Sequence, residues 1–306
     1  MAGDIAVVVV NWNGGVHTTS CLDSLAAGTV LPRVIVVDNG STDGSLEKAK
    51  HHPVVAEVIA MGRNTGYTGG NNAGIRRALA DTCRFICVLN NDVVLEPDAL
   101  ERLRSHLGAT GAPIALCPDI RYYERPTESW FAGGIVEAGY PRHLQKAELA
   151  AKSRRHVLRE SDFLTGCCLI APRGVWERVG LFDERYFLLF EDCDWSVRAR
   201  AAGVRLQVAL DSVVLHKVSR SFQSCAVSRL GAFYYARNGM LYTTRYQRRH
   251  APRFCLRHIC RPAARAFLRH REAKPQRKFL LFGLLAFAIA RFGRAPRWIE
   301  SLADRP

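Results

Sequence analysis

At 306 residues, with 48% hydrophobic and 23% charged residues, the chain can bury a full core, which excludes wholesale disorder. Its formal net charge of +15 is unevenly placed: residues 1–216 carry 23 Lys+Arg against 25 Asp+Glu, whereas residues 217–306 carry 20 against 3. The excess positive charge therefore belongs to the C-terminal part alone.

The first segment, MAGDIAVVVVNWNGG, has an acid ahead of a short apolar run and no basic lead, so it is expected to be a first strand and not a signal peptide. IAVVVVN (5–11), RVIVVD (33–38), VVAEVIA (54–60) and RFICVLN (84–90) are continuous, β-branched apolar runs. The stretches between them, HTTSCLDSLAAG, STDGSLEKAKHH and NNAGIRRALADT, suit helices. This alternation predicts an α/β fold with a parallel sheet covered on both faces, in which ligands bind at the carboxyl ends of the strands. Three of the four strands end there in polar residues: Asn11-Trp12-Asn13, Asp38-Asn39 and Asn90-Asn91-Asp92.

From 112 to 172 the pattern is less regular, with strands expected in IALCPDIRYY, ESWFAGGIVEAG and SDFLTGCCLIAP. A helix over PRGVWERVG, the acidic stretch FEDCDWSVRARAAG and two strands, VRLQVAL and VVLHKVS, follow. Strands added after a βαβα half predict a mixed central sheet. Beyond residue 225 three segments read as helical: SRLGAFYYARNGMLYTTRY, FCLRHICRPAARAFLRH and FLLFGLLAFAIARF. The ten cysteines lie mostly in apolar surroundings without a CxxC pair, which predicts buried free thiols in a reducing compartment.

The chemistry-bearing residues gather at strand ends. After Asp38 the sequence NGSTDGS offers Ser41 and Asp43 as local caps, which leaves Asp38 suited to a nucleobase or ribose. GRNTGYTGGNNAG (62–74) lacks the GxGxxG spacing, and its glycines instead allow close backbone approach to a bound group. Asp92 is either a turn residue or a ligand for a hard divalent cation, which often takes only one or two carboxylates. FEDCDW places three acids in four residues; Asp194 is expected to cap the helix that follows. Glu191 and Asp192 are left for general-base work, because neighbouring carboxylates raise the pKa of at least one. His216, in VVLHKVS, is a lone polar strand end of the kind more often structural.

Taken together, VVVNWNG, VVDNGSTDGS, NTGYTGGNNAGI, LNNDV, LTGCCLIAPRGVWERVGLFDERYFLLFEDCDWSVRARAAG and LHKVSRSF, extended by YYARN, resemble family 2 glycosyltransferases of the GT-A fold. The likeness is to the bacterial branch with rhamnosyltransferases and galactofuranosyltransferases, and it covers about residues 4–245 in order. It implies a Rossmann-like nucleotide-binding half (about 1–110), an acceptor half (about 111–225) and a basic helical tail (226–306). It also implies inverting transfer of a sugar from a nucleotide-diphosphate donor to a hydroxyl of a glycan or polyprenyl-diphosphate-linked glycolipid; dTDP-rhamnose is the first choice of donor, and UDP-galactofuranose, UDP-GlcNAc, UDP-glucose or UDP-galactose the alternatives. Carried over, Asp38 contacts the base or ribose, and Asn11 and Asn71 lie near the nucleotide. Asn13, Asn90 and Asn91 stand beside them, shaping the loops or touching the donor. Asp92 binds Mg2+ or Mn2+, His216 matches a position that adds a metal ligand, and Asp192 of the Glu191–Asp192 pair is the general base. Asn90 stands where many relatives have an acid, which implies weaker metal affinity.

In the tail, arginines alternate with leucine, isoleucine and phenylalanine around an apolar stretch at 279–290. This suits an anionic membrane surface and offers no nucleic-acid fold; packing on the domain or at a homodimer interface is the competing reading. No run reaches the roughly 18 apolar residues of a spanning helix, so the chain is expected to be cytoplasmic and peripheral on the cytoplasmic face of the membrane. A nucleotidyltransferase would want a lysine-bearing loop where NWNGGVHTT stands. A non-catalytic, glycolipid-binding relative would have no use for Asp92, Glu191 and Asp192 together.

Overall fold

The computed structural model describes residues 4–109, 111–151, 157–217, 229–268 and 276–303. The four apolar runs form strands β1 (Ile5–Asn11), β2 (Arg33–Asp38), β3 (Val55–Ala60) and β4 (Phe85–Asn90). Helices α1 (Gly15–Ala26), α2 (Ser45–Lys50) and α3 (Gly66–Leu79) link them. The strands pair in parallel in the order β4-β1-β2-β3, and β1, β2 and β4 are buried along nearly their whole length. Unalternating Val and Ile runs fit only such a sheet, because helices must cover both faces. Register then aligns the polar ends: Asn11 lies opposite Asp38, and Val10 opposite Asn90.

The second part of the sheet comes from β5 (Val93–Leu95), helix α4 (Ala99–Gly108), β6 (Ile114–Tyr122) and β7 (Arg125–Phe131). A short hairpin, β8 (Gly134–Glu137) and β9 (Tyr140–His143), precedes α5 (Lys146–Ala151), β10 (Leu158–Glu160), β11 (Cys168–Pro172) and α6 (Arg173–Val179). Helix α7 (Glu191–Ala201) and β12 (Arg205–His216) complete it. Among the described residues the ten-stranded sheet runs β10-β12-β6-β11-β4-β1-β2-β3, with β5 on β12 and β7 on β6. Strand β11 is antiparallel to both β4 and β6, so the sheet is mixed, as expected.

Three expectations change in detail. VRLQVAL and the VVLH of VVLHKVS belong to one strand, β12, which ends at His216 and has a register shift between Ala209 and Val213. Two of the three displaced residues are polar and bonded sideways, Asp211 to His106 and Ser212 to the Ala99 carbonyl. In SDFLTGCCLIAP only Cys168–Pro172 is strand, because the Ser161 hydroxyl bonds the Gly134 N–H and the Phe163 carbonyl in place of a ladder. Helix α7 begins at Glu191, ahead of Asp194.

The described chain groups into two compact units. The first is Met1–Ile135, Arg142–Phe182 and Asp192–Lys217; the second is Val136–Pro141, Asp183–Glu191 and Val218–Pro306. The second unit includes two segments from earlier in the chain. Its helices are α8 (Arg229–Tyr246), α9 (Ala251–Phe254), α10 (Arg261–Leu268), α11 (Arg277–Ala288) and α12 (Arg297–Ala303), with a π-helical turn at Cys255–Cys260. Helix α11 meets α8 at backbone distance, since a Cβ on Gly283 would lie 2.2 Å from the Phe233 carbonyl oxygen. The end of LHKVSRSF (218–222) and residues 269–275 of the basic stretch lie outside the described residues. No helix among the described residues is long and apolar enough to cross a membrane.

The first unit depends on a similar close approach. A Cβ on Gly74 of α3 would sit 2.2 Å from Val8 Cγ1 and 3.1 Å from Val37 Cγ2, both in the buried sheet. Gly74→Ala is expected to destabilise the protein by about 1–3 kcal/mol through overpacking, read as a lowered thermal midpoint.

Candidate functional site

The carboxyl ends of β1 and β2 are joined by a hydrogen-bonded frame. Asn11 is fully buried, and its Nδ2 lies 2.9 Å from Asp38 Oδ1, 3.0 Å from Ser41 Oγ and 2.8 Å from Ser45 Oγ. Its Oδ1 accepts from the Thr18 hydroxyl at 2.6 Å, and Thr18 Oγ1 accepts from Asn91 Nδ2 at 2.9 Å. Asn13 adopts a left-handed conformation (φ 49°), which asparagine tolerates, and accepts the Thr42 N–H at 2.8 Å. Against the opposing effect of desolvation, hydrogen bonds from Ser45 and Gly15 hold the Asp43 carboxyl below its usual range.

Asp38 Oδ2 also accepts the Gly40 and Ser41 N–H groups at 3.2 and 3.1 Å, a local turn of its own beside the cap that Asp43 Oδ1 makes on the Ser45 N–H. Asn71 on α3 donates to the Tyr67 carbonyl at 2.9 Å, while its Oδ1 is buried without a hydrogen bond. The adjacent Asn72 both donates to and accepts from the Phe182 backbone.

A second cluster lies where β5 pairs antiparallel with the end of β12, His216 opposite Val93. This pairing sets His216 Nε2 3.3 Å from Asp92 Oδ1, with the two side chains only 2% and 7% exposed. Asp92 Oδ1 and both imidazole nitrogens make no hydrogen bond. Leaving such groups buried without hydrogen bonds is costly, and a bound cation would satisfy them. One carboxylate oxygen and one imidazole nitrogen fit a divalent ion whose other ligands are phosphate oxygens and water. Among the described residues no third His, Cys, Asp or Glu completes a cage. Asn91 turns to Thr18, and Asn90 is fixed by its backbone: its N–H donates to the Cys167 carbonyl at 2.9 Å, and its carbonyl accepts from the Cys21 thiol.

The acids at α7 differ from one another. Asp194 is fully buried inside the helix and pairs with Arg198 at 2.9 Å, so it is an intrahelical ion-pair partner and not the expected cap. The reason is that the helix begins three residues before it. Glu191, the first residue of α7, is buried. Asp192 is half-buried, and its carboxylate accepts the Gly166 N–H at 3.1 Å and the Cys193 N–H at 2.8 Å. Gly166 is itself held by Tyr67, whose hydroxyl donates to its carbonyl at 2.6 Å. The dipeptide Gly166-Cys167 thus links the two clusters, with Asp192 on one amide and Asn90 on the next carbonyl.

Two residues on this side were missed in the sequence. Trp130 of β7 sets its ring edge-on to His216 and His143, with centroids 4.7 and 4.8 Å apart. His143 Nδ1 lies 3.0 Å from the Trp130 carbonyl oxygen, which fixes that nitrogen as the donor. Burial holds His143 below the ordinary imidazole range, against the opposing effects of the Trp130 carbonyl and the Asp192 carboxylate. Neither residue belongs to a recognisable motif, and the strand pairing alone brings them here. The bend ahead of α7 is also unusual: Phe187, Leu189 and Phe190 all have positive φ (62°, 72° and 73°). Left-handed backbone in bulky residues costs about 1–2 kcal/mol each.

Known proteins resemble this chain in sequence and in fold. The family described as Glycosyl transferase family 2 matches residues 6–173. The chain is 29% identical over 252 residues to the N-acetylglucosaminyl-diphospho-decaprenol L-rhamnosyltransferase of Mycobacterium tuberculosis, covering 76% of this chain and 82% of that protein. It is 23% identical over 215 residues to the dTDP-rhamnosyl transferase RfbF of Shigella flexneri, covering 68% and 69%. The crystal structure of GalNAc-T7 with UDP, GalNAc and Mn2+ superposes with a TM-score of 0.64 at 16% identity, over 91% of this chain and 54% of that one.

Replacing Asn11 by Ala removes the partner of Asp38, Ser41, Ser45 and Thr18 together. The variant is expected to lose about 1–3 kcal/mol of stability, measured by urea unfolding, as buried groups are left unmatched.

Proposed function

Because the chain belongs to glycosyl transferase family 2 and has the GT-A fold, we propose that it transfers L-rhamnose from dTDP-rhamnose, with inversion. The acceptor in this reading is a hydroxyl of a polyprenyl-diphosphate-linked or cell-surface glycan. The observation that carries the choice of donor and acceptor class is the extended similarity to a decaprenol-linked rhamnosyltransferase. Support for the chemistry comes from the unmatched Asp92–His216 pair and from the half-buried Asp192.

In the reaction Asp192 is the general base. Its carboxylate takes the proton of the acceptor hydroxyl as that oxygen attacks the anomeric carbon, while the nucleoside diphosphate leaves from the opposite face. The Gly166 and Cys193 amides orient the carboxylate. Asp92 Oδ1 and His216 Nε2 would hold Mg2+ or Mn2+, which when bound neutralises charge on the departing diphosphate. The frame of Asn11, Asn13, Asp38 and Asn91 keeps the nucleotide-side loops in register, and the buried Asn71 Oδ1 offers an acceptor. Asn90 shapes the approach to Asp92 through its backbone.

The C-terminal helices are proposed to rest on the cytoplasmic face of an anionic membrane, where a polyprenyl-linked acceptor is presented. Support comes from the 20 basic and 3 acidic residues of 217–306 and from the exposed Leu256, Leu285, Ile289 and Trp298.

Asp192→Asn is expected to lower turnover by about 10²–10⁴-fold while dTDP still raises the thermal midpoint. Asp92→Ala and His216→Ala should each abolish the extra stabilisation that Mn2+ adds to dTDP; retention of that increment in both variants refutes the ligand assignment. In sedimentation, the full chain should pellet with vesicles containing phosphatidylserine and be released by high salt, and should stay in solution with neutral phosphatidylcholine vesicles.

A further inference from the structure

The YYARN segment of α8 contributes two buried polar side chains that the proposed chemistry does not use. Asn238 is fully buried, and its Nδ2 faces three main-chain carbonyls in one bend: Tyr186 at 2.8 Å, Leu188 at 2.7 Å and Leu189 at 3.0 Å. Arg237, also fully buried, donates through Nη2 to the Arg185 and Tyr186 carbonyls at 3.1 and 2.9 Å and through Nη1 to the Gly293 carbonyl at 2.6 Å. Its Nε donates to Asn238 Oδ1 at 2.8 Å, which leaves the asparagine only one orientation, with its NH2 group toward the bend. Burial lowers the guanidinium pKa to about 10, and the guanidinium donates to carbonyl and amide oxygens. A buried cation placed this way sets a backbone shape and forms no ion pair.

That shape needs holding. Positive φ at Phe187, Leu189 and Phe190, with no glycine among them, turns successive peptides so that their carbonyls converge on α8. Rings from the same helix press the bend: Phe187 stacks on Tyr234 at 5.3 Å, and Phe190 lies 5.9 Å from Tyr235 and 5.7 Å from Tyr242. The bend runs directly into Glu191 and Asp192, the first two residues of α7. Strained backbone of this kind collects at functional sites when the surroundings over-determine it.

We propose that Arg237 and Asn238 are positioning residues for the Glu191–Asp192 pair, acting by clamping the carbonyls of 185–189. The inference rests on the reading of Asp192 as the general base. In this account the clamp fixes the backbone of 185–190, the segment whose chain continues into Glu191 and Asp192.

The test compares Asn238→Ala, Arg237→Ala and Arg237→Lys in the full chain, with Asp192→Asn as reference. Amide hydrogen exchange and transfer from dTDP-rhamnose, or from whichever nucleotide sugar of a panel the wild type turns over, are both measured. In Asn238→Ala, exchange over 186–196 should rise while that of β1, β2 and β4 stays as in the wild type. Its kcat should fall about 10–100-fold, with the donor KM within about two-fold. Arg237→Lys should recover part of what Arg237→Ala loses, and it also serves if the alanine variant fails to fold. Unchanged exchange over 186–196 in Asn238→Ala overturns the clamp. Raised exchange with unchanged kcat, in an enzyme that Asp192→Asn inactivates, overturns the positioning role. Full activity of Asp192→Asn would instead refute the base assignment, whatever the α8 variants do.

Discussion

Strand β4 is bonded on one edge to parallel β1 and on the other to antiparallel β11, and this change of direction organises the first unit. Parallel neighbours bring their carboxyl ends to one edge of the sheet, so Asn11, Asp38 and Asn90 come together there. The antiparallel neighbour instead brings its amino end to that edge, and with it Gly166 and Cys167. Their backbone groups are therefore free to bond Asp192 and Asn90. A fully parallel sheet would have put the far end of β11 there and left Asp192 without its amide.

Amides serve the nucleotide side for a related reason. A buried carboxylate accepts only and must be matched by donors, whereas asparagine donates and accepts within one neutral group. Asn11 uses both functions at once, joining a hydroxyl on α1 to a carboxylate at the end of β2. Asn91 extends the same chain from the loop after β4. Two amides beside Asp92 are thus consistent with its burial, because acids there would have crowded negative charge into a site with few donors.

Much of this architecture was legible in the sequence, because a buried parallel strand is written as an unbroken apolar run and its end as the first polar residue. β1, β2 and β4 and the residues at their tips follow from that rule. What could not be read depended on contacts between distant segments. Asp38 looked free of local duties because sequence cannot show which of several acids and serines forms the turn. Asp194 looked like a cap because the helix start was placed after it, and its partner Arg198 sits one turn further on. Trp130 and His143 come from the irregular middle of the chain, and only strand pairing brings them to His216.

The bend at 187–190 bears on how such a protein can change over generations. Glycine at its left-handed positions would relax the backbone, but at Phe187 and Phe190 it would also remove rings packed against Tyr234, Tyr235 and Tyr242. It would also widen the set of shapes open to the segment before α7. Relief of backbone strain and retention of ring packing therefore pull in opposite directions on the same few residues.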